Sequence, residues 1–237
     1  MLGPLARTSR ELSEVLAALE FGPPVAYVYD PLSYARAPHE TYLARYGGGK
    51  KDAVFLGMNP GPFGMAQTGV PFGDIPSVRD FLGIDGPVGR PEREHPKRPV
   101  LGFQHPRVEV SGSRLWGLVK ARYVAPERFF ERFFVVNYCP LLFLEESGRN
   151  LAPDKIARKE RDALLACCDR ALARIIQTLE PSLVIGVGGF AATAASRALG
   201  SDVHVAQILH PSPANPRANR GWASEVCREL SELGVEL

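Results

Sequence analysis

Asn59, Asn137 and His210 stand in three short stretches, GMNPGP, VVNYCP and ILHPSP, each of which leaves an apolar run. Proline follows Asn59 and His210 directly, and Pro140 follows Asn137 after Tyr138-Cys139. Proline fixes its own φ and pushes the preceding residue toward extended backbone, so Asn59 and His210 are held in place. Asn137 offers both a donor and an acceptor, which suits the edge of a planar heterocycle. His210 can donate a hydrogen bond or carry charge near neutral pH. Phe63 and Phe72 supply flat apolar surface nearby in sequence. The set has no strong base, because an amide is neutral and can only orient water through its carbonyl oxygen. Such a set suits an electrophile that accepts barely activated water. Cleavage of an N-glycosidic bond fits: the sugar becomes cation-like, and His210 would stabilise the charge gathering on the departing base. The same residues also have plainer uses. Asn at a strand end caps turns, and a single His can be structural.

The elements that must position these groups follow from periodicity. Apolar runs at Ala53–Gly57, Phe133–Tyr138, Ser182–Val187 and Val203–Leu209 read as strands bounded by Gly and Pro. Helical spacing recurs over 154–180, 189–199 and 221–233, and over 111–123 with Leu115, Leu118 and Val119 on one side. A short helix is expected after Pro126, and another start at Ser77. Thr8-Ser9-Arg10-Glu11 reads as a capping box opening a first helix. Residues 25–42 read as a wrapping segment with one short helix near its end, and 60–76, 141–153 and 210–219 as loops. Strands alternating with helices give an α/β fold: a central, mainly parallel four-stranded sheet with helices on both faces. Ligands of such sheets gather beyond the carboxyl ends of the strands, where the three polar stretches lie. Residues 1–237 read as one domain, with an N-terminal helix and wrapping segment over 1–50.

A chain of 237 residues that is 45% hydrophobic is long enough to bury a sizeable core. The net charge of +2 names no partner by itself. Its distribution says more: Arg90–Arg107 holds five Lys/Arg against two Glu, and Arg217–Arg228 three Arg against one Glu. Patches of this kind can face phosphates or simply be solvated. Cys139, Cys167, Cys168 and Cys227 form no CxxC pair, so neither a disulfide scaffold, a zinc site nor an iron–sulfur site is expected. No secretory leader and no membrane-length apolar run is visible, which leads to the expectation of a reduced, soluble, intracellular protein. GVGGFA at 186–191 formally fits a dinucleotide fingerprint. Val203–Leu209 nonetheless ends without a ribose-binding acid, so small residues for close strand-to-helix packing are the preferred reading.

The stretch FLGMNPGPFGMAQTGVPFG, together with EHPKRPVLGF, EVSGSRLWG, NYCPLLFL, SGRNL and HPSPANPRANRGW, closely resembles the single-strand-selective monofunctional uracil-DNA glycosylases. These belong to the wider uracil-DNA glycosylase superfamily. The likeness runs from about Tyr29, in YDPLSYARAPHETYLARY, to near the C-terminus. It implies a uracil-DNA glycosylase-like fold and a monofunctional enzyme of base excision repair. Uracil and 5-substituted uracils would be removed from single- and double-stranded DNA, leaving an abasic site. By the same likeness Asn59 holds the attacking water and His210 bonds to O2 of the leaving base. Phe72 stacks on the extruded base, Asn137 pairs with its edge, and the backbone at Met58 touches it. Gly61 stands where other branches carry a bulky aromatic, implying room for a 5-substituent. Pro211, Ser212, Pro213, Ala214, Asn215, Pro216, Arg217 and Arg220 would form the wedge against the duplex. No metal, no cofactor and no membrane is expected, and the protein would act as a monomer. Its compartment would be the cytoplasm in a prokaryote and the nucleus in a eukaryote. A non-catalytic module that binds damaged or single-stranded nucleic acid is the rival reading, separated by release of free base.

One departure stands out. The resembled family commonly has arginine just after HPSP, where this chain has Ala214, with Arg217 and Arg220 further on. Penetration of the duplex is therefore expected to be weaker than base chemistry. Cleavage rates at one salt concentration should be higher on single strands than on matched duplexes; equal or faster duplex turnover would contradict this.

Overall fold

Pro4 opens the first helix, where a fixed φ and a missing N–H cost nothing. In the computed structural model, which describes residues 2–237, helix α1 (Pro4–Ala17) buries Leu5, Leu12 and Leu16. The expected capping box is wrong. Gly3 is the N-cap, and Thr8 lies inside the helix and is buried. Pro4 and the apolar Leu5 extend the helical face upstream of the polar residues.

Residues 25–46 are more regular than a wrapping segment. They form strand β1 (Tyr27–Tyr29), helix α2 (Pro31–Tyr34) and helix α3 (Arg36–Tyr46). Asp30 caps α2 by accepting from Leu32 N–H at 3.0 Å, and it accepts from Ser13 Oγ at 2.5 Å, tying α1 to this corner. Pro38 falls in the first turn of α3, where proline is tolerated.

Strand β2 (Ala53–Gly57) is buried at all of its positions. The segment after it, expected to be loop, contains the single turn α4 (Met65–Thr68), followed by a π-helical turn at Ser77–Phe81. Then come α5 (Val110–Arg122), α6 (Pro126–Phe130) and β3 (Phe133–Asn137). The expected loop over 141–153 holds two short strands, β4 (Leu142–Leu144) and β5 (Asn150–Leu151). Helix α7 (Arg158–Leu179) starts later than expected, because a 3-10 turn at Pro153–Lys155 precedes it. The chain finishes with β6 (Leu183–Val187), α8 (Gly189–Leu199), β7 (His204–Ile208), α9 (Pro216–Asn219) and α10 (Trp222–Glu232).

The main sheet has four parallel strands in the order β3-β2-β6-β7. β3, β6 and β7 are reached in opposite directions from β2, so right-handed crossovers put helices on both faces. α8 packs on β6 and β7, α7 packs on α8 and α1, and α5 packs against α6 and α10. The strand order reverses between β2 and β6, and a ligand crevice is expected at their carboxyl ends. On the other side of β2 the register is in step with β3: Gly57 is opposite Asn137. Gly186 shows why the GVGGFA run needs small residues. A Cβ on it would lie 2.3 Å from the Ala192 nitrogen, so α8 can only sit on β6 over a glycine.

A second, antiparallel sheet of order β1-β4-β5 was not expected. Its strands are too short to carry a periodic signal, and β4 pairs with a segment far back in the chain, Tyr27 with Leu144. Arg98 and His95 are held near its edge, where Tyr29 Oη donates to Arg98 O at 2.8 Å and His95 N–H donates to Tyr29 Oη at 2.7 Å.

His39 locks α3 to the segment that follows α4. Its Nδ1–H donates to Gly69 O at 2.7 Å. Burial lowers its pKa from 6.5 to about 4. The folded pKa lies below the unfolded one, so the neutral ring's contribution is complete above pH 6.5 and is lost as pH falls toward 4. Denaturant titrations at about pH 7.5 and about pH 4.5 should show the wild type losing about 2.5 kcal/mol more than the His39→Asn protein. Equal losses would remove His39 as the cause.

Candidate active site

Gly57 ends β2 without a side chain, and two groups close over it. A Cβ there would lie 2.2 Å from Asn137 Oδ1 and 2.6 Å from Cε2 of Phe72. The parallel pairing continues past the strands: Tyr138 N–H donates to Gly57 O and Cys139 N–H to Met58 O, both at 2.9 Å. The two loops are thereby zipped together just where Asn59 and Asn137 leave the sheet. The Met58 carbonyl is taken up in this way.

Asn59 donates from Nδ2 to Leu141 O at 3.2 Å, which leaves its Oδ1 as the free acceptor. Asn137 Nδ2 lies 3.2 Å from Met65 Sδ; Asn137 is half-buried and Met65 is buried. Phe72 is buried and has φ +53, a left-handed backbone that a bulky residue rarely adopts. Its carbonyl accepts from Asp74 N–H at 2.7 Å, and it sits against Gly112 of α5, where a Cβ would come within 2.0 Å of the oxygen. The strain is thus held by α5, and it turns the ring toward His210, centroid to centroid 6.3 Å.

His210 follows β7 and is fixed from both sides. The main chain of Leu209 donates to Glu229 Oε2 and accepts from Trp222 Nε1, each at 2.7 Å. Gly188, at φ +92, makes room for the ring, since a Cβ would lie 3.1 Å from His210 Cβ. Ser212 N–H donates to His210 Nδ1 at 3.1 Å, so in the neutral ring Nε2 carries the proton. Burial lowers the pKa of His210 from 6.5, which favours that neutral form.

Met58, Asn59, Gly61, Phe72, Asn137 and His210 all line one cavity of about 320 Å³, a size within the range of small-molecule sites. Of the expected wedge residues, Ser212 and Pro213 also reach it. Pro211, Ala214, Asn215, Pro216, Arg217 and Arg220 do not line it; they form the adjoining rim and α9. Asn215 caps α9 by accepting from Arg217 N–H at 3.0 Å. Arg217 is engaged by Glu225 and by Glu229 at 3.5 Å, so its guanidinium turns toward α10. Arg220 is exposed.

Several residues here escaped the sequence reading. Gln67 is fully buried: its Nε2 donates to Pro62 O and Pro99 O, at 2.9 and 3.1 Å, and its Oε1 accepts from Leu101 N–H at 2.9 Å. It fixes the loop, satisfying buried carbonyls. Arg114 of α5 staples the rim from below, donating to Pro211 O at 3.0 Å and Asn219 Oδ1 at 2.8 Å. Asn219 in turn donates to Pro213 O at 2.8 Å. Glu109 lines the cavity beside Gly61. Phe63 was read as a wall for the ligand. It lies instead under Arg98 and Arg107, whose guanidinium carbons are 5.4 and 5.1 Å from its ring centroid, with His105 alongside. A cationic aromatic ledge next to the cavity suits a nucleic-acid strand. The only sequence signal for these residues was their place inside long unusual stretches, since their partners lie far off in the chain.

A model described as the Uracil DNA glycosylase superfamily matches residues 44–230. The chain is 51% identical over 227 residues to the single-strand selective monofunctional uracil DNA glycosylase of Mus musculus, covering 94% of this chain and 81% of the relative. The Bos taurus protein of the same name is 52% identical over 227 residues, covering 94% and 84%. The Rattus norvegicus protein is 49% identical over 246 residues, covering 99% and 88%. Among solved structures, SMUG2 of Pedobacter heparinus superposes with a TM-score of 0.68 over 97% of each chain at 15% identity, showing the same fold. With half-identical relatives along nearly its whole length, this chain belongs to the uracil DNA glycosylase superfamily and, within it, to the single-strand selective monofunctional uracil DNA glycosylases.

Proposed function

We propose that this chain is a monofunctional uracil-DNA glycosylase that hydrolyses the bond between uracil and deoxyribose and leaves an abasic site. The carrying observation is the single cavity shared by Asn59, Phe72, Asn137 and His210, with an amide oxygen and an imidazole N–H left unengaged. The reading of the relatives as uracil DNA glycosylases points the same way, and the non-catalytic module is not favoured.

A base inside a duplex must be extruded, at a cost of a few kcal/mol. Stacking on Phe72 offsets part of this. Asn137 Oδ1 accepts from uracil N3–H and Nδ2 donates to O4. Cytosine presents the opposite pattern at those positions and leaves the buried amide mismatched. As the C1′–N1 bond breaks, its electron pair moves onto the base. His210 Nε2–H donates to O2, where that charge gathers, and a neutral ring is suited to do so without first losing a proton. Water held by Asn59 Oδ1 adds to the cationic C1′ and sheds a proton to solvent. None of the described residues lining the cavity is a lysine, which supports hydrolysis without a covalent sugar intermediate.

Arg98, Arg107 and Arg220 border the cavity or its rim and support phosphate contacts on either side of the extruded base, with the salt sensitivity such contacts bring. Arg217 is withdrawn into pairs with Glu225 and Glu229, and Ala214 is small, which supports a preference for unpaired strands. We read the protein as acting as a monomer. We place the protein with its DNA: in the cytoplasm of a prokaryote or the nucleus of a eukaryote.

Two substitutions divide the roles. Asn59→Ala should slow single-turnover uracil release by about 100-fold or more while oligonucleotide affinity changes little; an unchanged rate would remove Asn59 from the chemistry. Phe72→Ala and Phe72→Gly should both weaken retention of the extruded base. Glycine suits φ +53, so Phe72→Gly should unfold at higher denaturant than Phe72→Ala, by about 1 kcal/mol. The reverse order would mean that the backbone at this position is not strained.

A further inference from the structure

Among the cavity side chains that the proposed reaction leaves unused, one is a carboxylate. Glu109, just before α5, places its carboxyl where Gly61 lacks a side chain: a Gly61 Cβ would lie 2.2 Å from Glu109 Oε2 and 2.7 Å from Cδ. Gly64 gives way to the same side chain, with a Cβ there 2.8 Å from Glu109 Cγ. The loop is therefore shaped around this carboxyl. Phe63 N–H donates to Oε2 at 3.3 Å. Burial raises the Glu109 pKa, the Phe63 N–H opposes this, the charge of Asp74 adds to the rise, and the Ser111 N–H opposes it. Among the described residues no cation is its partner, so the carboxyl is served by main-chain N–H groups and still borders the cavity.

Its position relative to a bound pyrimidine follows from the ring. C5 is directly across from C2 and next to C4. A base with O2 on His210 and O4 on Asn137 Nδ2 turns C5 away from His210, past Asn137. Beyond Asn137 Nδ2 lies Met65, at 3.2 Å from its sulfur. Met65 belongs to the Gly61 turn, which Ala66 N–H closes by donating to Gly61 O at 3.3 Å. The C5 edge therefore faces Gly61 and the carboxyl behind it. Gly61 does not simply leave empty room, as its small size suggests; the room is occupied by an acceptor.

We propose that Glu109 is the specificity-determining residue for the 5-position, accepting a hydrogen bond from a 5-hydroxymethyl group and turning away an anionic 5-carboxyl group. This rests on the cavity being the uracil site. A hydroxyl reaching the carboxylate replaces water with a charge-assisted bond. A second carboxylate beside the first must suffer like-charge repulsion in a partly desolvated place or take up a proton.

The test uses the whole protein and single-stranded oligonucleotides carrying uracil, 5-hydroxymethyluracil or 5-carboxyuracil, with single-turnover rates expressed relative to uracil within each variant. Taking ratios within one variant cancels any loss of folded enzyme. Glu109→Gln keeps an acceptor for Phe63 N–H and removes the charge. It should raise the 5-carboxyuracil ratio by about 10-fold or more. Glu109→Ala should lower the 5-hydroxymethyluracil ratio by about 10-fold. Both ratios staying within about 2-fold of wild type, with uracil still released, overturns the role of Glu109 alone. Failure of the wild type to release uracil from any strand overturns this role together with the glycosylase reading.

Discussion

The pairing of Gly57 with Asn137, side by side at the carboxyl ends of two parallel strands, is the contact on which the site depends. Parallel strands in step bring equivalent ends together, and here one end has no side chain. Asn137 Oδ1 and the Phe72 ring both move into that gap. Any side chain at Gly57 would push the amide and the ring apart. The proposed stack and edge recognition of a planar base therefore share one origin, a missing Cβ at the carboxyl end of β2. The rest of the loop serves to hold this arrangement: Gln67 satisfies the carbonyls of Pro62 and Pro99, His39 anchors Gly69, and α5 presses on the strained backbone of Phe72.

The electrostatics of the cavity are unusual for a hydrolytic site in what they lack. In the proposed reaction the water-holding group is an amide, and the group that would face the leaving base is an imidazole whose pKa burial lowers. The proposed reaction asks neither to transfer a proton. The arrangement works by placing an acceptor and a donor where charges develop, which costs no reorganisation when the bond breaks. Glu109 is the one carboxyl lining the cavity. In the proposed base orientation it lies on the side away from O2, where its charge would not oppose the negative charge building toward His210.

The rim follows a different principle. Its loop carries Pro211, Pro213 and Pro216, and Arg114 and Asn219 tie down two of its carbonyls. With Arg217 committed to Glu225 and Glu229, the rim is a stiff edge with little free positive charge at its tip. Arg98 and Arg107, which have no carboxylate partner among the described residues, lie instead around Phe63, on the loop that also carries Asn59. A single strand can follow that ledge without being forced open.

The parallel sheet was legible in the sequence because its strands are unbroken apolar runs, and Ala53–Gly57 was placed to the residue. The polar residues at the strand ends were legible too, since proline and glycine beside them restrict the backbone locally. What the sequence left hidden depended on distant partners. The strands of the small sheet are too short for a period and exist because Tyr27–Tyr29 meets Leu142–Leu144. Pro4 overruled a plausible capping signal at Thr8, because helix starts depend on which face is buried. Gln67, Arg114 and Glu109 are ordinary polar residues in sequence; only folding brings Arg114 to Pro211 and Glu109 to Gly61. The sequence by itself determined the strands, the loops and the chemical types at their ends, since these follow from local backbone preference and periodicity. Only the tertiary structure decided which groups share a cavity, which arginines are free and what stands against Gly61, because those are matters of distance between residues that the chain keeps far apart.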